Sequence, residues 1–427
     1  MLSTADNELL CRVGAGSPMG VYLRRFWIPA LMSSQLPGPD CDPVELRLLG
    51  EDLMAFRDTS GTVGVLKALC PHRQAPMYYG RNEEGGMRCI YHGWKFDVTG
   101  ACVDMPSEPP DSNFKEKVRS IGYPVVEQAE MLWVYMGPAD RQPALPGLEW
   151  MRVAASQRNL VKYNQECNFV QAIEGDIDSS HIGFLHKSLT QLRNPQGADI
   201  TARYTSLDQA PRWIVEPTDY GLMLAARRDA EADSFYWRIN QFYLPWYTTI
   251  AGPLDQSRGH GHIWVPVDDE HTEVWCVIWS PTESLRDEER WRILHGPTPH
   301  IASLDPATGK LRATKANHFL QDRGAQRHVS FTGILGVREQ DTAVVEGMGA
   351  VVDRTNEHLG TSDMAIIGMR RQLLNGAKAL LRGVEPVAAE RAELYHPRAW
   401  SAVLSRETEG HFLDHPQVQE LMATMVP

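Results

Sequence analysis

The sequence predicts an α+β protein of two domains, the second built on an antiparallel sheet, and three features of the chain carry that reading. Short apolar stretches at 44–49, 54–56 and 63–66 are broken by Gly, Asp and Pro, as in a small β-rich domain with many turns. Strand character returns at 131–136. Residues 137–147 then place three prolines and two glycines in eleven positions, the composition of a linker. The predicted domains are therefore 1–146, with an N-terminal extension, and 147–427. Beyond the break, 235–242, 261–265 and 274–279 are aromatic and β-branched and read as strands, whereas 168–188, 341–359 and 363–381 carry helical spacing.

Composition excludes several classes. With 427 residues, 43% hydrophobic and 22% charged, the chain can bury the cores of two or three domains. Forty-two basic against fifty-four acidic side chains leave a net charge of −12, which argues against a nucleic-acid partner, because phosphate binding needs clustered Lys and Arg. No apolar run reaches bilayer-spanning length, and residues 1–8 are too polar for a signal peptide, so a soluble cytoplasmic protein is expected. The seven cysteines, Cys11, Cys41, Cys70, Cys89, Cys102, Cys167 and Cys276, are odd in number and scattered, unlike a disulfide framework.

Two groups of ligand-type residues carry the chemistry. Cys70-Pro71-His72 is followed by Cys89-Ile90-Tyr91-His92, both on turn-rich loops. Two thiolates with two imidazoles suit a Rieske [2Fe–2S] cluster, in which one iron takes both cysteines and the other both histidines. Structural zinc instead favours Cys paired with Cys and His with His. Ala75 and Tyr91 stand where a disulfide would join the loops of an electron-transport-chain cluster, so a lower-potential, oxygenase-type cluster is expected.

The second group lies between Glu174 and His186. It supplies His181 and His186 with carboxylates close by, as a 2-His-1-carboxylate iron site requires. Five residues of α-helix turn through about 500°, leaving the two side chains about 140° apart. The helix must therefore be irregular there, with Gly183 easing a π-bulge. Asp178, three residues before His181, is read as the acceptor for the His181 ring N–H and as part of an electron route; the ligand carboxylate then comes from farther along. Residues 14–20 contain Pro18 and lack the glycine spacing of a dinucleotide loop, so NADH is left to another protein.

With these residues the chain resembles the α subunits of Rieske non-haem iron ring-hydroxylating oxygenases, the phthalate 4,5-dioxygenase branch above all. The resemblance covers nearly the whole chain. It rests on Cys70-Pro71-His72-Arg73, Cys89 through Phe96, Asp178-x-x-His181-x(4)-His186, and Gln340 through Glu346 followed by 353–360. It implies a Rieske domain joined to a helix-grip (START-like) catalytic domain, assembled as a head-to-tail homotrimer or a multiple of it. It also implies Asp341 as the distant iron carboxylate, with Glu339 and Glu346 nearby, and Asp178 as the bridge from His181 to the partner subunit's His92. The chain departs from the pattern at Gln74, where Gly is common, and at Ile90, where Pro is frequent; neither is a ligand.

The resemblance further implies an NADH-dependent reductase, of flavin and ferredoxin type, and dioxygen as co-substrate. The expected role is a terminal oxygenase that (di)hydroxylates an aromatic carboxylate of phthalate, chlorobenzoate or phenoxybenzoate type. O- or N-demethylation, and electron transfer without oxygen chemistry, are the alternatives, although a mere electron carrier would need only the first domain. A carboxylate entering an apolar pocket must meet a cation. Arg238, on the aromatic stretch 235–242, is the first candidate, with Arg203, Arg212 and Arg228 as fallbacks.

Overall fold

The computed structural model describes residues 2–189, 200–252, 254–295 and 301–424. Contacts divide the chain into two compact units, Val13–Leu145 and Pro146–Pro427, the second also taking Met1–Arg12 and with it helix α1 (Thr4–Cys11). No described helix is long and apolar enough to cross a membrane.

The strands of the first unit are β1 (Trp27–Met32), β2 (Val44–Leu48), β3 (Glu51–Arg57), β4 (Val63–Lys67), β5 (Arg81–Glu83), β6 (Gly86–Arg88), β7 (Lys95–Phe96), β8 (Cys102–Asp104), β9 (Gly122–Tyr123), β10 (Val125–Gln128) and β11 (Met131–Tyr135). They form sheets of order β1-β11-β10, β2-β3-β4-β9 and β5-β6-β7-β8. Three hairpins turn in two residues with positive φ at both: Leu49 and Gly50 at 48° and 78°, Glu84 and Gly85 at 50° and 79°, Ala129 and Glu130 at 56° and 64°. This is type I′ geometry, whose twist matches that of the paired strands.

The two Cys/His loops follow β4 and β6, and they share one backbone device. The Cys70 N–H donates to Ala75 O at 2.8 Å and the Gln74 N–H to Cys70 O at 2.9 Å; likewise the Cys89 N–H donates to Trp94 O at 2.8 Å and the Gly93 N–H to Cys89 O at 3.0 Å. The fourth residue after each cysteine is left-handed, Gln74 at φ 58° and Gly93 at φ 76°. Both cysteines are packed into the core formed by Met54, Phe56, Met87 and Phe96.

The second unit contains β12 (Arg158–Gln165), α2 (Phe169–Ile177), α3 (Ile200–Leu207), β13 (Arg212–Thr218), β14 (Gly221–Asp229), β15 (Ser234–Tyr243), β16 (Tyr247–Ile250), β17 (Gly259–Pro266), β18 (Thr272–Trp279), α4 (Asp287–His295), α5 (Val337–Gly347), α6 (Met364–Leu380) and β19 (Trp400–Ser405). The sheet runs β12-β18-β17-β16-β15-β14-β13, with β19 paired to β15. Helix α6 lies on β13 and β14. It comes close because Gly368 has no side chain: a Cβ there would stand 3.0 Å from Val215 Cγ1 and 3.2 Å from Leu222 Cδ1. Helix α2 packs on β16, β17 and α5. This is the helix-grip arrangement expected from the family resemblance.

Strand β15 is buried on both faces. Phe235, Trp237 and Ile239 enter a core with Trp400, Leu404 and Phe412, and Trp237 stacks on Phe412 with ring centres 3.9 Å apart. Tyr236, Arg238 and Asn240 alternate with them onto the opposite face and are buried as well.

Two helices differ from their predicted spans. The stretch 168–188 is not one helix. Asn168 caps α2 through its Oδ1, which accepts the Val170 N–H at 3.1 Å, while its Nδ2 donates to Cys11 O and Asp269 O. The helix stops at Ile177, where Asp178 turns to extended backbone, and His181–Gly183 forms a separate 3-10 turn. No π-bulge is needed, because the two histidines never share a helix. Gly183 serves close packing instead: a Cβ there would lie 2.9 Å from Thr205 O. The predicted 341–359 helix begins earlier, at Val337, and ends at Gly347, with Gly349 at φ 98° beyond it.

The shared loop device gives a stability test. Gly93→Ala would place a Cβ 2.7 Å from Pro106 Cγ at a left-handed φ, and it should cost about 1–3 kcal/mol. Gln74→Gly should be neutral to about 1 kcal/mol stabilising, as glycine relieves the left-handed strain. Urea melting of the full chain checks both.

Candidate metal centres

In the first unit, Cys70 and Cys89 are 1% and 2% exposed, whereas His72 and His92 are half-buried. The two imidazole ring centres lie 4.5 Å apart. His72 is stacked on Trp94 at 4.1 Å, whose indole N–H is anchored on Ser107 Oγ at 3.0 Å. Burial pushes the Cys70 thiol up to about 11, and the neighbouring Cys89 thiol adds to the rise. Paired thiols and paired imidazoles are the donor set for a cluster with one thiolate-bound and one imidazole-bound iron. All seven cysteines are free, so no disulfide joins the loops.

In the second unit, His181, His186 and Asp341 converge, with their donor atoms all within 4.8 Å of one another. The two Nε2 atoms are 3.0 Å apart, and Asp341 Oδ1 lies 3.5 Å from His181 Nε2 and 3.2 Å from His186 Nε2. The turn after α2 sets His181, the following loop brings His186 back, and the middle of α5 supplies Asp341. Each imidazole is oriented from behind: Asp178 Oδ2 is 3.4 Å from His181 Nδ1, and Gln340 Oε1 is 2.7 Å from His186 Nδ1. Such partners fix the tautomer and leave both Nε2 lone pairs for a metal. Two imidazoles and one carboxylate are a facial-triad donor set.

The carboxylates of α2 are assigned one by one. Glu174 accepts from Arg354 at 3.0 Å and Arg370 at 2.7 Å. Asp176 accepts from Arg338 Nη1 at 3.2 Å, His262 Nδ1 at 3.0 Å and Thr248 Oγ1 at 2.5 Å. Asp178 faces His181 and also accepts the Ser180 N–H at 2.6 Å. Burial alone would raise Asp176, but His262 and Arg338 hold it below the usual carboxylate range. Asp341 is likewise opposed by burial, yet His186 and Arg338 bring it down to about 2. Glu339 instead accepts the Ser303 N–H at 2.6 Å, and Glu346 the Glu166 N–H at 3.0 Å, so neither competes for the metal position.

A cavity of 1240 Å³ opens beside the triad. One wall is the sheet face, where Ile250 pairs with His260 and His260 with Ile278, and where β15 contributes Arg238 and Asn240. Burial, helped by His262, pushes His260 down to about 4 and keeps its ring neutral. The Asn240 oxygen accepts the Ala251 N–H at 2.9 Å, leaving its amide nitrogen for the cavity.

Of the predicted cations only Arg238 reaches this cavity. It is 6% exposed, and its Nε has no hydrogen-bond partner among the described residues. Arg228 is fully buried but is spent on the turn before His181, donating to Ser179 O, to Ser179 Oγ at 3.2 Å and to Asp208 O at 3.1 Å. Burial and the charge of Arg238 draw it down to about 10. Arg203 is exposed and paired with Glu231 at 2.7 Å, and Arg212 is exposed beside Glu409 at 3.6 Å; both fallbacks lie away from the site because their positions face solvent. Gln340, Asp176, Arg338, Asn240 and His260 escape sequence reading. Only the adjacency of Gln340 to Asp341, and of Asp176 to Asp178, marks any of them.

Residues 26–124 match the Rieske [2Fe-2S] domain family, and residues 134–425 match the family described as LigXa C-terminal domain like. A phthalate 4,5-dioxygenase oxygenase subunit of Pseudomonas putida is 38% identical over 96% of this chain and 94% of its own length. A 3-chlorobenzoate-3,4-dioxygenase oxygenase subunit of Comamonas testosteroni is 37% identical over 96% and 99%. In fold, the chain is similar to an NdmA variant of Pseudomonas putida CBB5 solved with theobromine, with a TM-score of 0.60 over 91% of this chain and 98% of that one at 16% identity. The electron-carrier reading falls, since the oxygenase likeness runs through the second unit. The chain belongs to the Rieske non-haem iron oxygenases as an oxygenase subunit, working with a Rieske [2Fe–2S] cluster, a mononuclear iron, dioxygen and a separate electron-delivering partner.

Proposed function

We propose that this subunit is the terminal oxygenase for an aromatic carboxylate of phthalate, chlorobenzoate or phenoxybenzoate type, and that Arg238 receives the carboxylate. One observation carries the reading: a buried guanidinium, its Nε without a partner among the described residues, lines the same cavity as His181, His186 and Asp341. A buried cation left so is costly unless an anion arrives, and guanidinium matches carboxylate geometry. Arg338 also borders the cavity and its Nε is likewise without a partner among the described residues, but its Nη1 is already held by Asp176 and Asp341. The named substrates of the two relatives support the same class.

In this reading Cys70, His72, Cys89 and His92 hold the cluster, and His181, His186 and Asp341 hold the mononuclear iron. The bound iron supplies dioxygen activation. Gln340 and Asp178 keep the imidazoles in the binding tautomer, Ile250 and Ile278 give the ring an apolar wall, and Arg238 sets its orientation. The working assembly is a head-to-tail homotrimer or a multiple of it in the cytoplasm, served by an NADH-dependent reductase of flavin and ferredoxin type. Within it, Asp178 joins His181 to the partner subunit's His92 and gives electrons a hydrogen-bonded path.

Purified protein should carry about three irons per subunit, two of them with labile sulfide. Cys89→Ser should erase the visible cluster spectrum, whereas His186→Ala should spare it and abolish turnover. Asp178→Asn removes the charge behind His181 at similar size, so both irons should be retained while cluster reoxidation by substrate and oxygen, followed by rapid mixing, slows by orders of magnitude. Arg238→Met should raise KM for aromatic acids about ten-fold or more, in line with roughly 1.5–3 kcal/mol for a charge-assisted hydrogen bond, and leave neutral analogues unaffected. Equal losses for both would make Arg238 a residue of the fold. Product analysis with a matched reductase tells a cis-dihydrodiol from a hydroxylated or dealkylated ring.

A further inference from the structure

The acid Asp341 does not present both oxygens to the histidines. Its Oδ1 stands 3.2 Å and 3.5 Å from the two Nε2 atoms, while its Oδ2 accepts from Arg338 Nη1 at 3.1 Å. Arg338 lies three residues earlier on α5, one turn away on the same face, and is 3% exposed. The same Nη1 donates to Asp176 Oδ1 at 3.2 Å, so one nitrogen joins the two helices that bracket the site. Asp176 is in turn keyed to the sheet by Thr248 of β16 and His262 of β17, and Trp264 Nε1 donates to Thr248 Oγ1 at 3.1 Å. The Arg338 guanidinium also lies 5.1 Å over the Trp264 ring. Every member of this chain is buried, and none of them is one of the three ligand residues except Asp341 itself.

We propose that Arg338 is a positioning residue that holds Asp341 to one-oxygen ligation, with Asp176, Thr248 and His262 fixing Arg338 in place. The inference rests on His181, His186 and Asp341 being the iron ligands. A carboxylate released from Arg338 can rotate and offer a second oxygen to a divalent cation, which would fill a coordination position that the reaction needs open. A guanidinium suits the task better than an ammonium. Both N–H bonds of its Nη1 are held in the guanidinium plane, so one nitrogen serves two carboxylates from two helices in fixed directions, whereas a lysine is a point charge on a flexible stem. An ion pair kept only for stability would not require this directionality, because buried pairs give way to apolar packing at little cost.

The test uses full-length protein with its cluster intact, from which the mononuclear iron has been removed by chelation and replaced by Co(II). X-ray absorption at the cobalt edge then reads this site alone. Arg338→Lys keeps the charge and loses the fork; it should lower the pre-edge intensity and add an oxygen at bonding distance. When loaded with iron it should turn over about 10- to 100-fold more slowly. Asp176→Asn leaves Arg338 in place but loosens its anchor, and should move the same signature in the same direction by less. It decides the matter if the lysine variant fails to fold. A wild-type pre-edge and ligand number in the folded variants would overturn the proposal. Failure of the unsubstituted protein to bind Co(II), or binding unaffected by His186→Ala, would overturn the ligand assignment and the proposal with it.

Discussion

Burying four carboxylates on and just after two packed helices is tolerable only because each has a cation or an imidazole of its own. Glu174, Asp176 and Asp178 fall at every second residue near the end of α2, and Asp341 faces them from α5. Left unpaired in so dry a place, each would take up a proton rather than stay charged. Arg354 with Arg370, Arg338 with His262, and His181 divide the work, and Asp341 is the acid whose Oδ1 faces both histidines. The donor set is thus selected by elimination of charge, with the two helices fixed relative to each other by the same contacts that do the eliminating.

The sheet supplies what the helices cannot, a rigid wall. Because β15 packs a tryptophan-rich core on one face, its other face is held in register to within the pleat, and the alternate residues Arg238 and Asn240 are presented at a fixed spacing along the cavity. A site on strands is more exact than one on loops. The triad itself, by contrast, draws two of its three residues from irregular backbone after α2, where Arg228 braces the turn through Ser179.

What could be read from the sequence was local chemistry. The Cys/His pairs are legible because ligand spacing within one loop is written in adjacent residues, and the strands 235–242 and 274–279 because aromatic and β-branched runs have few other uses. Apolar periodicity overextends the helix at 168–188 because it continues past Ile177, while the cue that ends it, Asp178 accepting the Ser180 N–H, looks like any helical aspartate. The hairpin at Ala129-Glu130 carries no glycine, so its left-handed turn had no signature. Arg238 can be named as the first candidate cation, but its burial is not legible, because the cover on the second face of β15 comes from elements far away in sequence. Asp176, Arg338 and His262 are separated by 86 residues or more in each contact, and no period or motif joins them.

Arg238 has one further consequence. A protein that folds around an incompletely satisfied guanidinium has its deepest free-energy minimum with a guest anion present, so occupancy and conformational stability are thermodynamically linked through a single contact. On the proposed role of Arg238, the unliganded chain is held less stable than the liganded one by the same contact that would recognise the substrate, and selection for tighter recognition at this position works against selection for a sturdier unliganded fold.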